Sequence, residues 1–135
     1  KGAELGMVEV LDSGAISKGL EAEGRMAFYA LYFDTGKAEL KPESKPQLEQ
    51  MAETLKRTPS LNVYVVGHTD STGALEANLE LSRRRAQAVV AALSAEYGIA
   101  AARMTANGVG PLAPVASNAD EKGRALNRRV ELVVR

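Results

Sequence analysis

Leu61-Asn62-Val63-Tyr64-Val65-Val66-Gly67-His68-Thr69-Asp70-Ser71-Thr72-Gly73 is an apolar run that stops abruptly in a polar turn bracketed by glycines. Leu61 to Val66 is apolar on both faces, the pattern of a buried strand. From about Ala74 to Tyr97, Leu79, Ala86, Val89, Val90, Leu93 and Tyr97 recur at helical spacing, and Gly98 stops the run. A strand, a polar loop and a long amphipathic helix make one βα unit, and the rest of the chain is read outward from it.

Upstream, Ala27 to Phe33 (AFYALYF) is a second run apolar on both faces, closed by Asp34-Thr35-Gly36, and it predicts a central strand. Pro42 suits the first turn of a helix, where a missing N–H costs nothing. Leu48, Met51, Ala52 and Leu55 give that helix its buried stripe, and Thr58-Pro59 closes it. Downstream, Arg103 to Gly110 reads as a less apolar strand ending in a Gly-x-Gly turn, and Pro111 to Ala125 as a polar loop. Arg128 to Val134 alternates, with Val130, Leu132 and Val134 on one face, as a half-exposed antiparallel strand does. The order predicts an α+β fold: a two-layer sandwich of βαβαββ type, with a mixed four-stranded sheet and helices on one face. Ahead of it lie a short apolar stretch at Met7–Leu11, a possible cap at Asp12-Ser13, and Ile16 and Leu20 at helical spacing before Gly24. Residues 1–25 are a linker or an extra strand–helix element, which leaves 26–135 as the domain.

At 135 residues the chain has the length of one domain. Seventeen basic residues cancel seventeen acidic ones, so net charge gives no argument for nucleic acid or an anionic membrane. With no cysteine there is no disulfide, no thiolate metal site and no cysteine nucleophile. No apolar run approaches the roughly 18–20 residues that span a bilayer as a helix. The chain opens at Lys1 rather than Met, as a fragment or processed form does, and any signal peptide or anchor would lie upstream.

Asp70 stands at the mouth of the Leu61–Val66 strand, where α/β proteins tend to place functional groups. It also suits a turn or a helix cap, bonded to nearby backbone N–H groups. Arg83, Arg84 and Arg85 point in three directions about 100° apart on a helix. Arg85 borders the buried stripe beside Ala86, so packing can brace it while its head stays free; a snorkelling surface arginine or an ion pair is the alternative. His68 is the single histidine, too few for a zinc-type ligand set, and reads as a hydrogen-bonded structural residue. Neither a metal nor a cofactor is expected. Catalysis is not expected either: His68, Asp70 and Ser82 supply triad residue types, but no nucleophile elbow, P-loop or dinucleotide fingerprint accompanies them. Arg128 and Arg129 precede the last strand on opposite sides, one toward the helices and one toward solvent, or form a charged edge that discourages sheet pairing.

Gly67-His68-Thr69-Asp70 with Gly73, Asn78, Leu81-Ser82 and Arg85-Ala86 is followed by Gly108-Val109-Gly110, Pro114 and Gly123-Arg124-Ala125-Leu126-Asn127-Arg128-Arg129-Val130-Glu131. With Tyr32 to Leu40 ahead of them, these motifs resemble the OmpA-like C-terminal domain over about residues 26–135. That family includes the peptidoglycan-associated lipoprotein and the periplasmic domain of the flagellar motor protein MotB. One departure is Gly110-Pro111-Leu112, which lacks the acid often found after that Gly-x-Gly turn.

The resemblance implies non-covalent binding of peptidoglycan through the diaminopimelate of its peptide stem, at the periplasmic face of the outer membrane. Asp70 would then meet the ammonium and Arg85 the carboxylate at the far end of that side chain. Phe33, Asp34, Thr35, Gly36, Thr69, Asn78, Leu81 and Arg128 would complete the pocket. The charges match: diaminopimelate carries an extra carboxylate relative to lysine, so its free end is zwitterionic and suits a carboxylate plus a guanidinium fork. The alternative is an envelope protein-interaction or dimerisation domain that does not bind the wall.

Overall fold

A computed structural model of the chain describes residues 8–135. Met7, at the head of the expected apolar stretch, lies outside the described residues, and 8–12 run without regular structure. Asp12 then caps helix α1, Ser13–Glu23, accepting a hydrogen bond from the Ala15 N–H at 2.8 Å. Gly24 ends it in the left-handed conformation, φ 73°. The chain entering α1 is fastened to the next helix by a reciprocal pair: Leu11 N–H donates to Gln47 Oε1 and Gln47 Nε2 to the Leu11 carbonyl, both at 2.9 Å.

Strand β1 is Arg25–Phe28, shorter than the apolar run and shifted toward its start. It is an edge strand, not a central one: it pairs antiparallel with the last strand alone, and the sheet order is first–last–second–third. The remaining apolar residues serve other purposes. Ala30 and Leu31 enter the core, and Phe33 forms an isolated bridge with Leu40. A short 3-10 turn at Pro42–Ser44 leads into α2, Lys45–Arg57, whose Leu48, Met51, Ala52 and Leu55 are buried as the stripe requires.

Strand β2, Val63–His68, is central, with helix α3, Leu75–Tyr97, following it and strand β3, Met104–Gly110, parallel beside it. The stretch expected to be a polar loop contains a fourth helix, α4, Glu121–Asn127, capped by Asp120, which accepts from Gly123 N–H at 2.8 Å. Strand β4, Arg129–Val134, lies between β1 and β2, antiparallel to both. It is therefore neither an edge nor half-exposed at its start, where Arg129, Val130, Glu131 and Leu132 are all buried.

The result is an α+β fold with a mixed four-stranded sheet. Phe28, Val63, Val65, Met104, Val130 and Leu132 point from one face of the sheet into a core closed by Ile16 and Leu20, Met51 and Leu55, and Val89 and Leu93. On the other face Tyr64 is exposed, which corrects the reading of Leu61–Val66 as apolar and buried on both sides. No helix among the described residues is long and apolar enough to cross a membrane.

Candidate functional site

Where β2 ends and the chain turns toward α3, the helix backbone comes down onto the sheet. A Cβ on Gly67 would run into the Ser82 carbonyl, and one on Gly108 into the Arg83 backbone nitrogen. Only glycine permits that approach. Ser82 is fully buried there and accepts a hydrogen bond from Gly110 N–H at 3.0 Å, so the start of α3 is pinned to β3. One turn further along α3, Arg85 is carried over the end of β2.

A pocket of about 690 Å³ opens at this end of the sheet. The segment after β1 walls it with Tyr29, Leu31, Tyr32, Phe33, Thr35 and Gly36. The β2–α3 turn contributes His68, Thr69, Asp70 and Thr72, and α3 contributes Asn78, Leu81 and Arg85. Glu121, Arg124, Arg128, Arg129 and Val130 close the remaining side. Residues 8–24 do not line it. The structure thus brings nine of the ten expected site residues to one cavity. Asp34 is the exception: its carboxylate turns away to Lys41 Nζ at 3.1 Å, and only its carbonyl reaches the site, through Arg85.

Asp70 is both a turn residue and a charged partner. Its Oδ1 accepts from Thr72 N–H at 2.8 Å, and its Oδ2 accepts from Arg128 Nη1 at 2.7 Å. Burial pushes its carboxyl up, but the Arg128 and Thr72 hydrogen bonds together outweigh that, and the net shift is downward. It is ionised at neutral pH. Thr69 Oγ1 donates to the Asp70 carbonyl at 2.7 Å, and Asn78 Nδ2 to the Thr72 carbonyl at 2.9 Å, so both expected supporting residues fix this turn.

Arg85 is held quite differently. Its Nε donates to the Lys37 carbonyl at 2.8 Å and its Nη2 to the Asp34 carbonyl at 3.1 Å, while the guanidinium lies 4.9 Å from the centre of the Phe33 ring. No carboxylate pairs with it among the described residues. Burial lowers its pKa, the nearby Arg128 adds to that, and Asp70 offsets part of it. A braced, partly desolvated guanidinium with no anion can accept a carboxylate through its remaining N–H groups.

Beneath the pocket lies a buried charge cluster that the sequence reading missed. Arg129 Nε donates to Glu131 Oε2 at 2.7 Å, and Arg25 grips the same carboxylate through Nε at 3.0 Å and Nη2 at 2.9 Å. Arg129 therefore faces neither solvent nor the helices but the covered part of the open sheet face, where its Nη2 also reaches the Ala113 carbonyl at 3.1 Å. His68 is 7% exposed, with Nε2 3.9 Å from Glu131 Oε2. Contrary to expectation, neither ring nitrogen has a hydrogen-bond partner among the described residues. Burial pushes His68 down to about 4, Arg129 adding to it and Glu131 opposing it, so the ring is neutral at neutral pH. Burial raises Glu131, but its two arginines prevail and hold it at about 2.

Glu121 and Arg124 also lie outside the residues that the sequence selects, because Pro111 to Ala125 predicts a loop and not α4. Asp120, a good N-cap residue directly before Glu121-Lys122, was the available signal. Among the described residues no group of three or more His, Cys, Asp or Glu is placed to hold a metal ion.

The model of the OmpA family matches residues 32–128. The chain is 45% identical over 102 residues to outer membrane porin F of Pseudomonas aeruginosa, covering 76% of this chain and 29% of that protein. It is 41% identical over 102 residues to the peptidoglycan-binding protein ArfA of Mycobacterium bovis, covering 76% of this chain and 31% of that protein. It spans less than a third of the length of either relative. Among solved structures, the peptidoglycan-associated lipoprotein of Burkholderia pseudomallei is similar with a TM-score of 0.69 and 36% identity, over 84% of this chain and 92% of that one.

Proposed function

This chain belongs to the OmpA family, and from that premise we propose that it binds peptidoglycan non-covalently in the cell envelope, through the zwitterionic end of diaminopimelate. The observation that carries this reading is the unequal state of the two charges. Asp70 is ionised and shares its carboxylate with Arg128, while Arg85 is braced by carbonyls and an aromatic ring and has no anion. A ligand with an ammonium and a carboxylate on one carbon satisfies both. A lysine-type stem offers the ammonium but leaves Arg85 unmatched, so the pocket discriminates by leaving a desolvated charge without a partner.

In the whole protein the domain serves as an anchor, tying an outer-membrane protein or lipoprotein to the wall from the periplasmic face. It holds the stem and does not cut it. The one histidine is buried with its nitrogens out of reach of solvent.

Co-sedimentation with purified sacculi tests the reading. The native chain pellets with diaminopimelate-type wall, and Asp70→Ala or Arg85→Ala stays in the supernatant while keeping the native circular dichroism spectrum. Each loss corresponds to about 1–3 kcal/mol, the worth of a charged hydrogen bond. Equal pelleting of both variants and the native chain would overturn it. Mass spectrometry of the same incubations should reveal no released fragments.

A further inference from the structure

Arg128 is held at two ends. Its Nη1 donates to Asp70 Oδ2 at 2.7 Å, and its Nη2 donates to Glu121 Oε2. Glu121 stands on the pocket rim with two-thirds of its side chain exposed, and its other oxygen accepts from Arg124 Nε at 3.3 Å. A ligand ammonium that reaches Asp70 therefore meets a carboxylate already paired with a guanidinium.

Two cations sharing one carboxylate repel each other, and a second anion on one of them eases that repulsion. Glu121 is that anion. With it, charges alternate along the rim: Glu121, Arg128, Asp70, then the ligand ammonium, the ligand carboxylate and Arg85. Without it, Arg128 has Asp70 as its single anionic partner. It then competes with the ammonium for that carboxylate and weakens its binding.

We propose that Glu121 is a positioning residue for ligand recognition, which holds Arg128 at the pocket rim so that Asp70 can be shared between that guanidinium and a ligand ammonium. The inference rests on the diaminopimelate reading above and extends it to a residue that touches the ligand only through Arg128. It also gives α4 a purpose: the helix presents Glu121 to a side chain seven positions later, across its own length.

The test is a double-mutant cycle read by NMR titration of the whole chain with meso-diaminopimelate. Glu121→Gln should weaken binding about five- to tenfold, and Glu121→Asp should recover part of the loss. In an Arg128→Gln background the Glu121→Gln change should have an effect of less than about twofold, because the group it positions is gone. A role through Arg124 or α4 folding alone would persist undiminished in that background, and this result would overturn the proposal. So would native affinity in Glu121→Gln. Failure of the native chain to bind meso-diaminopimelate overturns the functional reading and this inference with it, whereas native binding with an unaffected Glu121→Gln overturns the inference alone.

Discussion

Arg85 shows how a single side chain is prepared for a ligand. Two of its five N–H donors are taken by backbone carbonyls at 2.8 and 3.1 Å, and its flat face rests against Phe33. The rest of the fork is oriented before any ligand arrives, so little side-chain entropy is lost on binding. A lysine at this position keeps the charge but loses both the carbonyl brace and the bidentate geometry. Arg85→Lys is therefore predicted to weaken meso-diaminopimelate binding about tenfold, roughly 1.4 kcal/mol, with an unchanged melting temperature. Retention of native affinity in a calorimetric titration would mean that the fork is not used. Asp70 and Arg85 each have an ordinary reading from residue type and spacing, as a turn acid and a surface arginine, and it is the resemblance to OmpA-like domains that singles them out; the structure brings both to one pocket. The bond between Asp70 and Arg128 was not legible in the sequence, since it joins positions 58 residues apart and depends on how β4 is seated. His68 reads from the sequence as a hydrogen-bonded structural residue; it is buried, but its nitrogens have no partner among the described residues, which depends on what covers that side of the sheet.

At the scale of elements, the site exists because the Ser82–Arg83 backbone of α3 comes down onto Gly67 of β2 and Gly108 of β3. Gly67 and Gly108 make that contact possible, and each faces backbone atoms that cannot move aside as a flexible side chain would. Gly108→Ala is predicted to destabilise the domain by about 1–3 kcal/mol, the usual cost of overpacking, and to shift NMR signals of Ser82 through Arg85. A native melting temperature in this variant would contradict the account of the contact. Asp12→Ala should cost about 1 kcal/mol through the lost cap of α1 and leave ligand affinity untouched, since residues 8–24 do not line the pocket. Elements with strong periodicity, α2 and α3, were readable from pattern alone. The run Ala27–Phe33 misled because its apolar residues have three different uses: sheet in Phe28, core in Ala30 and Leu31, and pocket wall in Tyr32 and Phe33. The seven-residue α4 is too short to show a period, so only its cap could announce it.

For the molecule as a whole, a formal net charge of zero conceals an uneven distribution. Four arginines and two carboxylates line the pocket, and one of those arginines, Arg129, is neutralised from below by Glu131. The cluster under the pocket makes stability depend on pH. His68 is held below its unfolded value, so the unfolded chain takes up a proton first, and stability falls as pH drops from about 6.5 to about 4. Glu131 is also depressed, so its contribution is complete above its unfolded value of 4.5 and is lost as pH falls toward about 2. Urea unfolding across this range should show a loss on the order of 2–3 kcal/mol by pH 4. His68→Leu should flatten the upper limb and keep the lower one; an unchanged upper limb would assign that slope to other groups. The central claim is that the pocket reads a carboxylate and an ammonium together. Calorimetric titration of the native chain with meso-diaminopimelate, set against lysine blocked at its α-amino and α-carboxyl groups, tests it most directly. One saturable site is expected for meso-diaminopimelate, with at least tenfold weaker binding of the blocked lysine; equal affinity for the two, or no heat from either, would rule out joint recognition of the two charges.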